Sequence, residues 1–172
     1  TGTTPMGAYA RLADIVAAER LPTDRLRIFQ LDEYLGLPPG DRRLLGGWMD
    51  RALVAPLGVA ADRVVRFASD AADPRQTCAA WDAALAAAGG AGLVVLGLGP
   101  NGHLGFNEPP SEPEAPTRPV ELTPESVRSN GPYWGGEDMV PRHAVTAGMA
   151  ALLAARRILL LVSGERKHGI LH

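Results

Sequence analysis

Leu93-Val94-Val95-Leu96-Gly97-Leu98-Gly99-Pro100-Asn101-Gly102-His103 is the stretch on which the fold turns. Four aliphatic residues in a row are followed by a glycine-rich loop that carries a histidine. An unbroken aliphatic run bounded by glycine is the pattern of a strand covered on both faces, as in a parallel sheet flanked by helices. Ile158-Leu159-Leu160-Leu161-Val162 repeats it, and Leu26-Arg27-Ile28-Phe29-Gln30-Leu31 and Val64-Val65-Arg66-Phe67 are shorter candidates. Helical periodicity runs through Met6, Tyr9, Leu12, Ile15 and Val16, over 44–57, and over 73–89, where Cys78, Trp81, Leu85 and Ala88 share a face. Strand and helix signals in alternation predict an α/β fold, with a three-layer, Rossmann-like open sheet, mostly parallel, and helices on both faces. Residues 1–172 read as one domain without repeat or linker, and the proline-rich stretch 109–119 as an excursion from it. The chain opens with Thr4 as a natural N-cap and Pro5 at the first helical position, and it stops inside a helical pattern. The domain is therefore expected to lack its first strand and its C-terminal helix.

The 17 basic and 19 acidic side chains nearly cancel, to a net charge of −2. Such a chain lacks the electrostatic footprint of a nucleic-acid binder, and the expected partner is a small molecule. No run approaches the roughly 18 apolar residues that a membrane helix needs, and the first residues lack a secretory pattern. The expectation is a soluble, cytoplasmic protein with no membrane partner. Cys78 is the only cysteine, which excludes an internal disulfide, and its helical spacing makes it a packing residue.

Ligands of open α/β sheets bind beyond the carboxyl ends of the strands, and four such places are unusual. Thr1-Gly2-Thr3-Thr4 is hydroxyl-rich at a helix start, and reads equally as an ordinary cap or as a phosphate cradle. Asp32 and Glu33 are adjacent acids where an apolar strand gives out; side chains alternate, so only one can face a ligand, and alone the pair reads more simply as a solvated strand end. Gly97 to Gly102 matches the G-x-G-x-x-G string of dinucleotide folds, but Pro100, Gly105, Pro109 and Pro110 resist the helix that the string should open. What remains is a loop whose backbone approaches a ligand closely at Gly99 and Gly102, with His103 and Glu108 in mutual reach as a proton shuttle. Lys167 opens the helix after the last strand and can pair with a phosphate, although a solvated lysine is the commoner fate. His168 and His172 have zinc-ligand spacing without a third ligand nearby, so no metal is expected.

Taken together, LDEYLGLP (31–38), GLGPNGHLGFNEP (97–109) and VPRHAVTAGMAALLAARRILLLVSGERK (140–167) resemble the glucosamine-6-phosphate deaminase family from Thr1 to the last residue. The related 6-phosphogluconolactonases lack the FNEP ending and differ at the first acidic motif. The resemblance implies conversion of glucosamine 6-phosphate and water to fructose 6-phosphate and ammonia, with no cofactor. It implies that Asp32 moves a proton between C2 and C1, and that His103 opens the sugar ring with Glu108 in the same group. It also implies that Gly2, Thr3, Thr4 and Lys167 hold the phosphate, with Glu33, Gly99 and Gly102 among the substrate contacts. A homo-oligomer is compatible with it.

Two departures stand out. Many relatives carry aspartate where this chain has Asn101, which can orient His103 but cannot stabilise its cation by charge. Relatives commonly place a phosphate-binding arginine after an asparagine equivalent to Asn130, whereas here Gly131-Pro132-Tyr133-Trp134 follows, read as a lid loop. Arg128 or Arg142 are possible substitutes, and galactosamine 6-phosphate is an alternative substrate. The remaining alternatives are lactonase activity and a non-catalytic sugar-phosphate-binding regulator domain.

Overall fold

The computed structural model describes residues 2–171. Helix α1 spans Met6–Glu19, and Pro5 rather than Thr4 holds the cap position, with no side-chain cap. The backbone explains this correction: Thr3 and Thr4 lie in a turn closed by Met6 N–H on Thr3 O at 3.2 Å, which places helix entry one residue later. The Leu26–Leu31 run contributes only β1, Ile28–Phe29. The acidic motif that follows is itself a strand, β2, Asp32–Tyr34, buried at all three positions. Helix α2, Leu45–Met49, continues into a wider π turn over Asp50–Val54. Next come β3, Val64–Val65, and α3, Pro74–Ala87, whose N-cap Asp73 accepts from Arg75 N–H. The aliphatic runs form β4, Val94–Gly97, and β7, Ile158–Leu161.

The sequence pattern announces none of β5, Arg118–Glu121; α4, Pro124–Trp134; or β6, His143–Thr146. The stretch read as a lid loop is the last turn of α4, with Pro132 inside it. The short helix α5, Met149–Leu153, follows β6. Strands β1 and β3 pair in parallel, as do β4 and β7, whereas β2, β6 and β5 form an antiparallel sheet with β6 central.

Trp81 of α3 organises the main core. It stacks on Phe67 at 5.5 Å, meets Phe29 edge-on, and donates its indole N–H to Gln30 O at 2.8 Å. Such a ring buries a large apolar area while its one polar atom is satisfied. Cys78 is buried beside it, and burial pushes its thiol up to about 11, as suits a packing residue. A second cluster joins Tyr34, Phe106, Val127 and Trp134. An apolar cavity of about 490 Å³ lies between β1 and β4, with Leu12, Ile28, Leu57, Trp81 and Leu93 in its walls, and it reaches Asp32. Ile158, Leu159 and Leu160 are 42–45% exposed, although the sequence reads as a doubly covered strand. Among the described residues β7 has only β4 as a partner.

Candidate active site

Alternation along β2 decides where its two acids go. Asp32 pairs with Thr146 and Tyr34 with Ala144 across the ladder to β6, so these four share one face, while Glu33 and Val145 share the other. Asp32 is buried, and burial, supported by the charge of Glu33, raises its carboxyl to about 6.

The histidine loop closes onto that same face. Phe106 N–H donates to Thr146 Oγ1 at 3.1 Å, and Asn107 Nδ2 donates to Ala147 O at 2.8 Å, fastening the loop to the end of β6. Gly105, at φ +62°, makes the approach possible: a Cβ there would stand 3.0 Å from Thr146 Oγ1 and 3.6 Å from Asp32 Oδ2. Asp32 and the loop that carries His103 are thus brought together by a glycine two residues from the histidine. Gly99 makes room for the ring itself, since a Cβ there would overlap Cδ2, Nε2 and Cε1 of His103.

His103 Nδ1 lies 2.7 Å from Asn101 Oδ1, which also accepts the His103 backbone N–H at 3.3 Å. A carbonyl oxygen that takes both must face an Nδ1–H, which leaves Nε2 as the unprotonated ring nitrogen. Burial holds His103 below its usual value; Glu108 and Glu125 oppose that and the Lys167 ammonium adds to it. Lys167 is itself lowered by burial, and its charge is felt at the imidazole.

Glu108 stands 4.0 Å from His103 Nδ1. It is anchored to the start of α4: Thr123 N–H donates to Oε2 at 2.8 Å, Thr123 Oγ1 to Oε1 at 2.5 Å, and Ser126 Oγ to Oε1. Burial works against its charge, yet these donors hold it below the usual glutamate value. A carboxylate at a helix N-terminus also gains from the helix dipole. Ser126 and Thr123 carry no signal of a role in the sequence, although Thr123-Pro124 is a cap followed by proline at the first helical position and marks α4, and Gly105 reads there only as a residue that resists a helix.

Glu33 requires a correction. It is 2% exposed, and its carboxylate accepts from Tyr34 N–H at 2.9 Å, Leu45 N–H at 3.0 Å, Gly46 N–H at 2.8 Å and Gln30 Nε2 at 2.8 Å. A group closed in by four protein donors has no face left for a substrate. Gly102, at φ +86°, packs near Ile170. Gly2, Thr3 and Thr4 are exposed at the start of α1. Arg128 and Arg142 are both exposed, and Arg142 reaches Glu137 O at 3.5 Å. Thr1 and His172 lie outside the described residues, so the first threonine of the cradle and the second histidine of the zinc spacing do as well. Among the described residues no group of three or more His, Cys, Asp or Glu could hold a metal, and no helix is long and apolar enough to cross a membrane.

Comparison with known proteins bears on this arrangement. The sequence model of the family described as glucosamine-6-phosphate isomerases/6-phosphogluconolactonase matches residues 2–172. The chain belongs to this family. A glucosamine-6-phosphate deaminase of Streptomyces avermitilis is 40% identical over 168 residues, covering 97% of this chain and 64% of that protein. One from Halothermothrix orenii is 36% identical over 167 residues, 97% of this chain and 69% of the relative. Among solved structures, a monomeric glucosamine-6-phosphate deaminase superposes with a TM-score of 0.95 at 31% identity, over 99% of this chain and 71% of the other. A 6-phosphogluconolactonase from Thermotoga maritima superposes at 0.72 with 20% identity, over 99% of this chain and 70% of the other, which shows a shared fold alone. The chain therefore spans 64% of the length of its Streptomyces avermitilis relative in the family.

Proposed function

We propose that this family member is an aminosugar-phosphate deaminase and isomerase, a hydrolase that converts glucosamine 6-phosphate and water to fructose 6-phosphate and ammonia. The observation that carries the reading is the convergence of Asp32 and the His103 loop across Gly105. Aldose–ketose isomerisation needs a carboxylate base able to exchange a proton near neutrality, and a carboxyl raised to about 6 is one. Ring opening needs a second acid–base group. A neutral imidazole with an unprotonated Nε2, oriented by Asn101 and backed by the Glu108 carboxylate, supplies it. Lys167, close enough to influence His103, together with Gly2, Thr3 and Thr4 at the start of α1, holds the phosphate. Gly99 and Gly102 give the loop its close approach to the sugar.

The same reading extends to the fold. The parallel pairs β1–β3 and β4–β7 flank an apolar cavity whose walls include α1 and α3, which supports one three-layer, Rossmann-like sheet in a single domain. A second substrate, galactosamine 6-phosphate, is favoured by one observation: Gly131-Pro132-Tyr133-Trp134 follows Asn130 where the family resemblance implies a phosphate-binding arginine, so contacts near the sugar would differ.

The test is ammonia release by the purified protein from each of the two epimers. Glucosamine 6-phosphate should be the better substrate, and Asp32→Asn should abolish its turnover. Undiminished release by that variant removes Asp32 from the chemistry, and faster release from the galactose epimer replaces the substrate.

A further inference from the structure

Glu33 occupies an unusual place for an acid. It projects from the face of β2 that it shares with Val145, a residue of the main core. Burying a carboxylate there is costly, and well-packed apolar residues often serve a core as well or better. Every one of its partners is a donor, the complement of an ionised carboxylate. Those donors come from three places. Tyr34 N–H belongs to β2, Leu45 and Gly46 N–H open α2, and the amide belongs to Gln30, between β1 and β2.

Gln30 extends the anchorage. Its Nε2 also donates to Asp32 O at 2.8 Å, its Oε1 accepts from Phe67 N–H at 3.3 Å, and its backbone joins Val65 O and the Trp81 indole. Gly46 packs directly on the assembly: a Cβ there would stand in van der Waals contact, 3.4 Å from both Gln30 Oε1 and Glu33 Oε2. The peptide units before and after Glu33 are therefore both tied down, one through Asp32 O and one through Tyr34 N–H. These two ties bracket the residue next to the proposed base.

We propose that Glu33 is a positioning residue: with Gln30 it locks β2 against α2 and so fixes the backbone from which Asp32 reaches the His103 loop. This rests on the reading of Asp32 as the base. A carboxylate needs to be held to within a fraction of an ångström for proton transfer, and misplacement by about 1 Å can cost on the order of a hundredfold in rate. The charge of Glu33 also helps keep the Asp32 carboxyl high. Tyr34 on the same strand, whose hydroxyl burial pushes up to about 12, and His103 on the loop packed over β2 are both uncharged near neutral pH, while the positive charge of the amino terminus opposes Glu33 and lowers the Asp32 carboxyl.

Two variants test this, Glu33→Gln and Gln30→Met, each followed by steady-state kinetics, thermal unfolding, and carbon-13 NMR titration of Asp32. Glu33→Gln should lower kcat by at least about tenfold with KM within about threefold, and the Asp32 titration should move to lower pH. Gln30→Met keeps the charge but loosens the anchor, so it should lower kcat by a smaller factor at unchanged KM. A plain helix cap would instead lower the unfolding temperature of both variants while kcat stays within twofold, and that result overturns the proposal. An Asp32 titration in Glu33→Gln that coincides with the wild type also overturns it. Should Glu33→Gln not fold, the kcat of Gln30→Met decides alone. The titration needs no turnover, so a wild-type protein that releases no ammonia defeats the functional reading while the coupling of Glu33 to Asp32 is still measured.

Discussion

Asp32 and Glu108 are both acids beside one imidazole loop, and their surroundings push them in opposite directions. Asp32, enclosed on β2, is raised to about 6, mainly by burial. Glu108 is also drawn from water, yet the two hydroxyls and the amide at the start of α4 keep it below the usual range. The difference lies in the number of donors rather than in the acid. Near neutral pH one group exchanges its proton and the other stays charged, which is how two like groups divide acid–base work.

The sharpest way to break this contrast is to remove each charge in turn. Asp32→Asn should lower kcat by roughly 10²–10⁴-fold, and it should stabilise the fold at neutral pH. The sign follows from linkage. Folded Asp32 holds its proton more tightly than the unfolded chain does, so its contribution is fully present below the ordinary value of 3.8 and is lost as pH rises through about 6. Asparagine cannot ionise and keeps that contribution. Urea unfolding at pH 7.5 should show a gain of about 1–3 kcal/mol that disappears below pH 4. A variant that is both inactive and destabilised at pH 7.5 would contradict the burial account.

Gly99→Ala comes next. The added methyl collides with the imidazole, which must leave its position beside Asn101. A loss in kcat of about a hundredfold is expected, with the overall fold retained in circular dichroism. Undisturbed His103 NMR signals would contradict the close approach.

Glu108→Gln should lower kcat by roughly tenfold or more, and it should move stability the opposite way from Asp32→Asn. A carboxyl held below its usual value contributes stability above that value and loses it as pH falls through the folded one. The unfolding temperature should therefore drop at pH 7.5 and converge with the wild type in acid. Equal signs for the two variants would erase the distinction between the two carboxylates.

What the sequence disclosed divides along similar lines. The helices α1 and α3 and the strands β4 and β7 were readable because apolar residues recur with a fixed period or in unbroken runs. Strand β5 hid behind Pro119, which an edge strand tolerates and an interior strand would not. Helix α4 hid behind Gly131 and Pro132 in its final turn. Asp32-Glu33-Tyr34 is a poor strand by propensity, and only its tertiary partners make it one. For the site, the residue types and the glycine loop were visible in the sequence. That Glu33 turns inward was not, because its partners lie 12 and 13 residues further on at a helix start that no local pattern announces.

The smallest effect belongs to Asn101, and it tests how the imidazole beside Glu108 is held. Both the backbone N–H and Nδ1 of His103 converge on Asn101 Oδ1, which fixes the Nδ1–H tautomer and leaves Nε2 free to accept a proton. Asn101→Asp keeps an oxygen in that place and adds a charge. The new carboxylate stabilises the imidazolium, opposing the burial that now holds His103 low. At pH 8, where the ring is neutral in both proteins, kcat should change by less than about threefold. As pH falls, the variant should lose activity earlier, because its His103 protonates first. Long-range nitrogen-15 NMR of the ring should show Nδ1–H in both proteins and a higher His103 titration in the variant. An Nε2–H tautomer in the wild type, or coincident titrations, would mean that the oxygen of Asn101 does not orient the ring.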